Sequence, residues 1–139
     1  MRFLSLALML VAGLLASLPA RADPPIDCDN ARNTIENNYC AEQALDAADQ
    51  KLNEVYEKVL AHISESGSDE PYDSKSWEKT MREAQRAWIA FRDADCKGAV
   101  PMEWSGGTAT SAAVLGCMTQ KTETRAHELA ERYGLNDDR

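Results

Sequence analysis

Four cysteines, two histidines and a large excess of carboxylates are the side chains of this sequence that could carry chemistry. Zinc would call for a C-x-x-C pair or for histidines close to the cysteines. Cys28, Cys40, Cys96 and Cys117 are spaced far more widely than that, so no metal is assigned. His62 and His127 fall on separate segments and read as surface positions rather than parts of a triad. None of G-x-S-x-G, H-E-x-x-H, a phosphate loop or a dinucleotide fingerprint is present. "DCDNARNTIE", residues 27–36, has acids at calcium-like positions but lacks the central glycine and ligand register of a calcium loop. Two carboxylates could hydrolyse a glycoside only if they stood about 5–9 Å apart across a cleft. The helical rods described below leave little room for one. No catalytic residue and no cofactor are therefore assigned, and the chain reads as a non-enzyme.

The first residues, "MRFLSLALMLVAGLLASLPARA", have a basic start, an apolar run and a small-x-small end. Residues 1–22 are expected to be a secretory signal peptide, and 23–139 the mature domain. The apolar run is shorter than the ~20 residues that span a bilayer, and the nearest cysteine is not in a lipobox. No membrane anchor is therefore expected after cleavage, and the chain should be periplasmic or secreted. In such an oxidising space four cysteines read as two disulfides, with three possible connectivities. Pairing of neighbours is preferred, Cys28 with Cys40 and Cys96 with Cys117. Each closed loop would then contribute roughly 3 kcal/mol in the chain-entropy model.

The net charge is −8, from 23 acidic and 15 basic residues. Losing the leader removes two arginines and no acid, which makes the domain more acidic still. Such a surface repels nucleic acid and anionic lipid, and at low salt it would speed encounter with a cationic protein.

Three long helices must position these groups. Asn33 followed by Glu36 is an N-cap signature. From there Ile35, Tyr39, Leu45, Ala48, Leu52, Val55, Val59 and Ile63 recur at three- and four-residue steps. The pattern predicts a helix of about 30 residues, roughly 45 Å long. Residues 64–76, "SESGSDEPYDSKS", form a connector, with Ser74 or Ser76 as the next cap and Glu78 in the first turn. In the second helix Trp77, Met81, Ala84, Trp88, Phe91 and Asp95 follow a seven-residue rhythm, and the helix ends near Lys97. Residues 98–108, "GAVPMEWSGGT", break it. A last helix from about Thr110 to Tyr133 turns Ala112, Leu115, Met118, Thr122, Ala126, Leu129 and Tyr133 inward, with Gly134 just past its end. No strand-like alternation and no internal repeat appear. The fold class is all-α, an antiparallel three-helix bundle with a short irregular N-terminal segment and two disulfides.

Within "QRAWIAFRDADC", residues 85–96, Gln85, Trp88, Arg92 and Cys96 share one stripe while Arg86, Ile89 and Asp93 turn away. Arg92 thus lies at the inward face and needs an acid, because an unpaired buried charge costs several kcal/mol. Asp49 is in step with Leu52 and Tyr56 and is the expected partner. Arg125 is a further member, and Tyr56 and Asn53 are expected to complete the hydrogen bonds. The role expected of this network is structural.

These residues occur in an order that resembles a known family. A C-x11-C pair leads into "ALDAADQKLNEVY". Then come "AQRAWIAFRDADC", "GGT", and a cysteine followed by Thr122, Arg125 and Leu129 in T-x-x-R-x-x-x-L. The order resembles the exported, cysteine-bearing lysozyme inhibitor LprI-like family, over Cys28 to Leu129. The resemblance implies an all-helical, disulfide-bonded envelope domain with a protein partner, lysozyme. An alternative partner is another envelope protein, as for an immunity protein. The resemblance supplies no contact residues. The residues themselves offer two loops: Tyr72 among the acids of the 64–76 connector, and Glu103 with Trp104 beside Gly106 and Gly107. Either aromatic could anchor a partner or fold back as a lid on the bundle.

Overall fold

The computed structural model describes residues 26–135, so the expected leader, residues 1–22, lies outside the described residues. The first helix, α1 (Thr34–Glu65), starts where the sequence signals it. The Glu36 N–H donates to Asn33 Oδ1 at 2.9 Å, and the Glu36 carboxylate accepts from the Arg32 N–H. The first bond satisfies a donor that the first helical turn leaves open, and the second ties the residue before the cap back to that turn. Ala48, Leu52, Val55, Val59 and Ile63 follow at steps of four and three and are buried. Ile35 and Tyr39 keep the same period but are 79% and 42% exposed. Periodicity defines a face, and burial also needs an opposing element, which these first turns lack.

Helix α2 (Ser74–Ala94) is capped by Asp73, not by Ser74 or Ser76 as expected. Asp73 Oδ1 accepts from the Ser76 N–H at 2.9 Å and Oδ2 from the Ser76 hydroxyl at 3.1 Å. A carboxylate outdoes a hydroxyl here because its bonds are charge-assisted and it faces the positive end of the helix dipole. The bond from the Ser76 amide holds the Asp73 carboxyl below its ordinary value of 3.8. A depressed carboxyl stabilises the fold above its unfolded pKa and loses that effect as pH falls through the folded value. Asp73→Ala should therefore melt lower than the native protein above about pH 5. That gap should close when melting is followed down through and below the ordinary aspartate range.

The expected break at Gly98 does not occur. Helical backbone continues through a π-helical turn, Asp95–Ala99, into a short helix α3 (Val100–Glu103). The Val100 N–H bonds back five residues to the Asp95 carbonyl. Proline inside an ordinary helix lacks a donor and collides with the carbonyl four residues earlier. The widened turn just before Pro101 relieves that collision, which is why the helix outlasts its proline. The chain reverses only after Trp104, through Ser105 and Gly106, both with positive φ (50° and 65°).

Helix α4 (Thr110–Arg132) ends as its sequence indicates. Gly134 takes φ 63°, its N–H reaches the Glu131 carbonyl, and the Leu135 N–H reaches Ala130 at 2.8 Å. This is the paired-bond ending that glycine makes accessible.

Contacts at two levels trace the course of the chain. Arg92 meets Asp49 and Thr122 at one level, and Trp77 meets His62 and Tyr133 at the other. Residue numbers rise from the first level to the second in α1 and α4 and fall in α2. The described residues thus form an all-helical bundle of three long helices without strands. Its core joins Leu52, Val55, Val59 and Ile63 to Met81 and to Ala126, Leu129 and Ala130. Two disulfides tie it, Cys28–Cys40 and Cys96–Cys117. The first pins a 3-10 turn (Cys28–Asn30) with no buried residue to α1. The second links the π-helical turn to α4, and Cys96 is fully buried. No helix among the described residues is long and apolar enough to cross a membrane.

Candidate functional site

The inward stripe of α2 holds Met81, Gln85, Trp88 and Arg92 and runs on to Cys96 in the π-helical turn, so a helix that should supply apolar core delivers an amide and a guanidinium. Both are buried. Arg92 Nη1 donates to Asp49 Oδ1 and to Thr122 Oγ1, each at 3.0 Å, and Nε donates to Asp93 Oδ1 at 3.1 Å. One side chain thereby joins all three long helices. The side chain of Asp49 is 43% exposed. Its ion pair with Arg92 is therefore solvent-screened and worth at most about 1 kcal/mol. The bond to Thr122 differs, because that residue is wholly buried and its hydroxyl would otherwise lack its partner.

Arg125 lies apart from this set. Its Nε donates to Gln85 Oε1 at 3.2 Å and its Nη1 approaches Glu128 at 3.4 Å. Arg92 and Arg125 both stand against the Trp88 ring, 5.3 and 5.9 Å from its centre. The rings and acids around them offset two like charges in one seam. The indole is the shared element of two guanidinium sites, rather than Asp49 joining both.

Further sequence expectations change here. Tyr56 and Asn53 do not complete the network. Asn53 is exposed, while Tyr56 is half-buried among the fields of Arg82 and Arg86, with burial raising its hydroxyl pKa. Asp93 was expected to turn away, yet it accepts from Arg92 and from Lys97 Nζ at 2.7 Å. The Lys97 bond first, and Arg92 second, hold the Asp93 carboxyl below the usual range. An arginine stem is long enough to fold back beside its own helix, which face geometry alone does not reveal. Thr122 lies on the inward face that its spacing predicts, but only the position of Arg92 opposite makes it an acceptor.

The seam's polar groups are engaged with one another. They are arginines, an amide, a hydroxyl and partly solvated carboxylates. Asp95, Cys96 and Cys117 converge closely enough to hold an ion, but both sulfurs are joined in the disulfide and are not available as thiolates. His62 is exposed, as expected, and its ring also packs edge-on against Trp77 and Tyr133. His127 pairs with Glu131 at the exposed face of α4.

Tyr72 and Trp104 stand at opposite ends of the bundle. Tyr72 is 77% exposed and adjoins Trp77, at the His62 level. Trp104 is 50% exposed and follows the turn that carries Cys96. From Trp77 to Cys96 the helix rises roughly 30 Å, so the two aromatics cannot enter one cleft. Glu103 lies with Trp104 on the exposed corner.

Together these features define an all-helical, doubly disulfide-bonded domain organised around a guanidinium seam. The family model for lysozyme inhibitor LprI matches residues 28–129, from the first bonded cysteine to the last helix's core leucine, and the chain belongs to that family. An uncharacterized protein of Rhizobium meliloti is 36% identical over 123 residues, 85% of this chain and 87% of its own length. No solved structure matches the chain.

Proposed function

We propose that the chain is an exported, non-catalytic inhibitor that masks the cleft of lysozyme or a similar cationic cell-wall hydrolase, with the 102–104 corner as the inserted element. Membership of the LprI family supports the activity. The corner is supported by one observation: Met102 and Trp104, 82% and 50% exposed, project from α3 and its C-terminal cap, just before the chain reverses and shortly after the buried Cys96 of the second disulfide. Large apolar side chains held out on a fixed turn are suited to a partner's pocket, since little motion is lost on docking. Acids flank this end of the bundle. Residues 26–48 hold Asp27, Asp29, Glu36, Glu42 and Asp46 against Arg32 alone. Their field would steer a cationic enzyme and orient it toward the corner.

The two loops separate in a lysozyme inhibition assay. Trp104→Ala should lose about ten-fold or more in inhibitory potency, with its melting temperature unchanged. Tyr72→Ala should inhibit like the native chain. Equal potency of Trp104→Ala and native protein would remove the corner from the interface.

A further inference from the structure

A basic stripe runs along the outward side of α2 in this acidic chain. Lys75, Lys79, Arg82 and Arg86 follow one another at steps of four, three and four, so they share a face. They line a groove of about 680 Å³ together with Glu70, Asp73 and Glu78. The lining carries four cations against three acids, Glu70, Asp73 and Glu78, a surplus of one positive charge. Glu78 is bound to Arg82 at 2.7 Å, and Asp73 is engaged in capping α2. Among the described residues Lys75, Lys79 and Arg86 form no salt bridge, and their charges face solvent.

A second groove, of about 510 Å³, adjoins the first at Ser76 and has a different lining. Pro71, Tyr72 and Trp77 give it flat apolar walls, and Ser68, Ser76 and Thr80 give it hydroxyls. Trp77 is held from behind, 6.1 Å from the Tyr133 ring and 6.4 Å from His62. Its orientation is thus fixed before any ligand arrives. Tyr72 is 77% exposed and has no such support.

We propose that these joined grooves bind a saccharide chain bearing carboxylates, with its ring faces against Tyr72 and Trp77 and its carboxylates along Lys75, Lys79 and Arg86. Charge selects the sign of the ligand, because the stripe repels a cationic protein and attracts an anion. The walls select its shape. Amphipathic aromatic rings beside hydroxyls fit a ligand with apolar ring faces and hydroxylated edges. An acidic peptide would satisfy the stripe but has no ring face for the walls. This site lies at the end opposite the 102–104 corner and does not depend on that corner's role.

The test is a titration of the oxidised full mature chain, read by the NMR shift of the Trp77 indole N–H. The probes are oligogalacturonate, glycan strands from cell wall bearing muramic carboxylates, neutral chitohexaose and poly-glutamate. Saturable binding of either acidic saccharide is expected, at least ten-fold tighter than chitohexaose or poly-glutamate. Binding of both acidic probes assigns the site to acidic saccharides in general. Binding of the glycan strands alone assigns it to the cell wall, and of oligogalacturonate alone to other acidic glycans. Tyr72→Ala should lose about ten-fold. Lys75→Gln with Lys79→Gln should weaken binding and flatten its salt dependence, and both variants should inhibit lysozyme as the native chain does. No saturable shift with either acidic saccharide would overturn the proposal. So would poly-glutamate binding as tightly as the saccharides.

Discussion

Replacing Cys96 and Cys117 by serine is expected to lower stability by about 3 kcal/mol. On a domain of this size that is a fall of roughly 10–15 °C in Tm. The same change at Cys28 and Cys40 should cost less than a third of that. Loop length alone does not separate them, since separations of 21 and 12 residues both give roughly 3 kcal/mol in the chain-entropy model. The difference lies in what each link holds. Cys96 is fully buried and joins the π-helical turn to α4, so breaking the link frees two elements of the cooperative unit. Cys28 belongs to a turn with no buried residue, tied to helical turns whose Ile35 and Tyr39 face solvent. That region can fray without opening the core. Thermal melts of the two double mutants decide the matter, and equal losses would contradict the assignment of the first disulfide to the periphery.

Arg92→Met is the second large effect, expected at about 2–3 kcal/mol. Asp49 and Asp93 would be left partly in water and would lose little. Thr122 would not, because its wholly buried hydroxyl loses the guanidinium that it accepts from. Adding Thr122→Val should therefore restore about 1 kcal/mol, since removing both polar partners from a buried site costs less than removing one. The double-mutant cycle reads this coupling directly. An Arg92→Met protein that kept its melting temperature yet lost inhibition would show that the seam serves contact rather than structure.

The helices were legible because burial follows period wherever a partner lies opposite, as at Val55, Val59 and Ile63. Period failed at Ile35 and Tyr39, where the stripe runs on beyond the packing. Local chemistry misled at Pro101, since the rule that proline ends a helix takes no account of a π-helical turn that makes room for the ring. Asp73 outranked two nearby serines because charge assistance adds to capping, a contest that spacing does not rank. Arg92 and Asp49 could be paired from helical register alone. Thr122 could not, because a threonine on an apolar face looks like a small core residue until an arginine points at it. The stripe on α2 stayed hidden for a related reason. Its members are interleaved with Trp77, Glu78 and Glu83, and the acidic total conceals a local surplus of cations.

Titration of lysozyme with the oxidised 23–139 chain, across a salt series, bears most directly on the proposed inhibition. Full inhibition at low ionic strength, with potency falling steadily as salt screens the acidic end, is the result expected. Lysozyme activity left unchanged at low ionic strength by an excess of folded chain would contradict it.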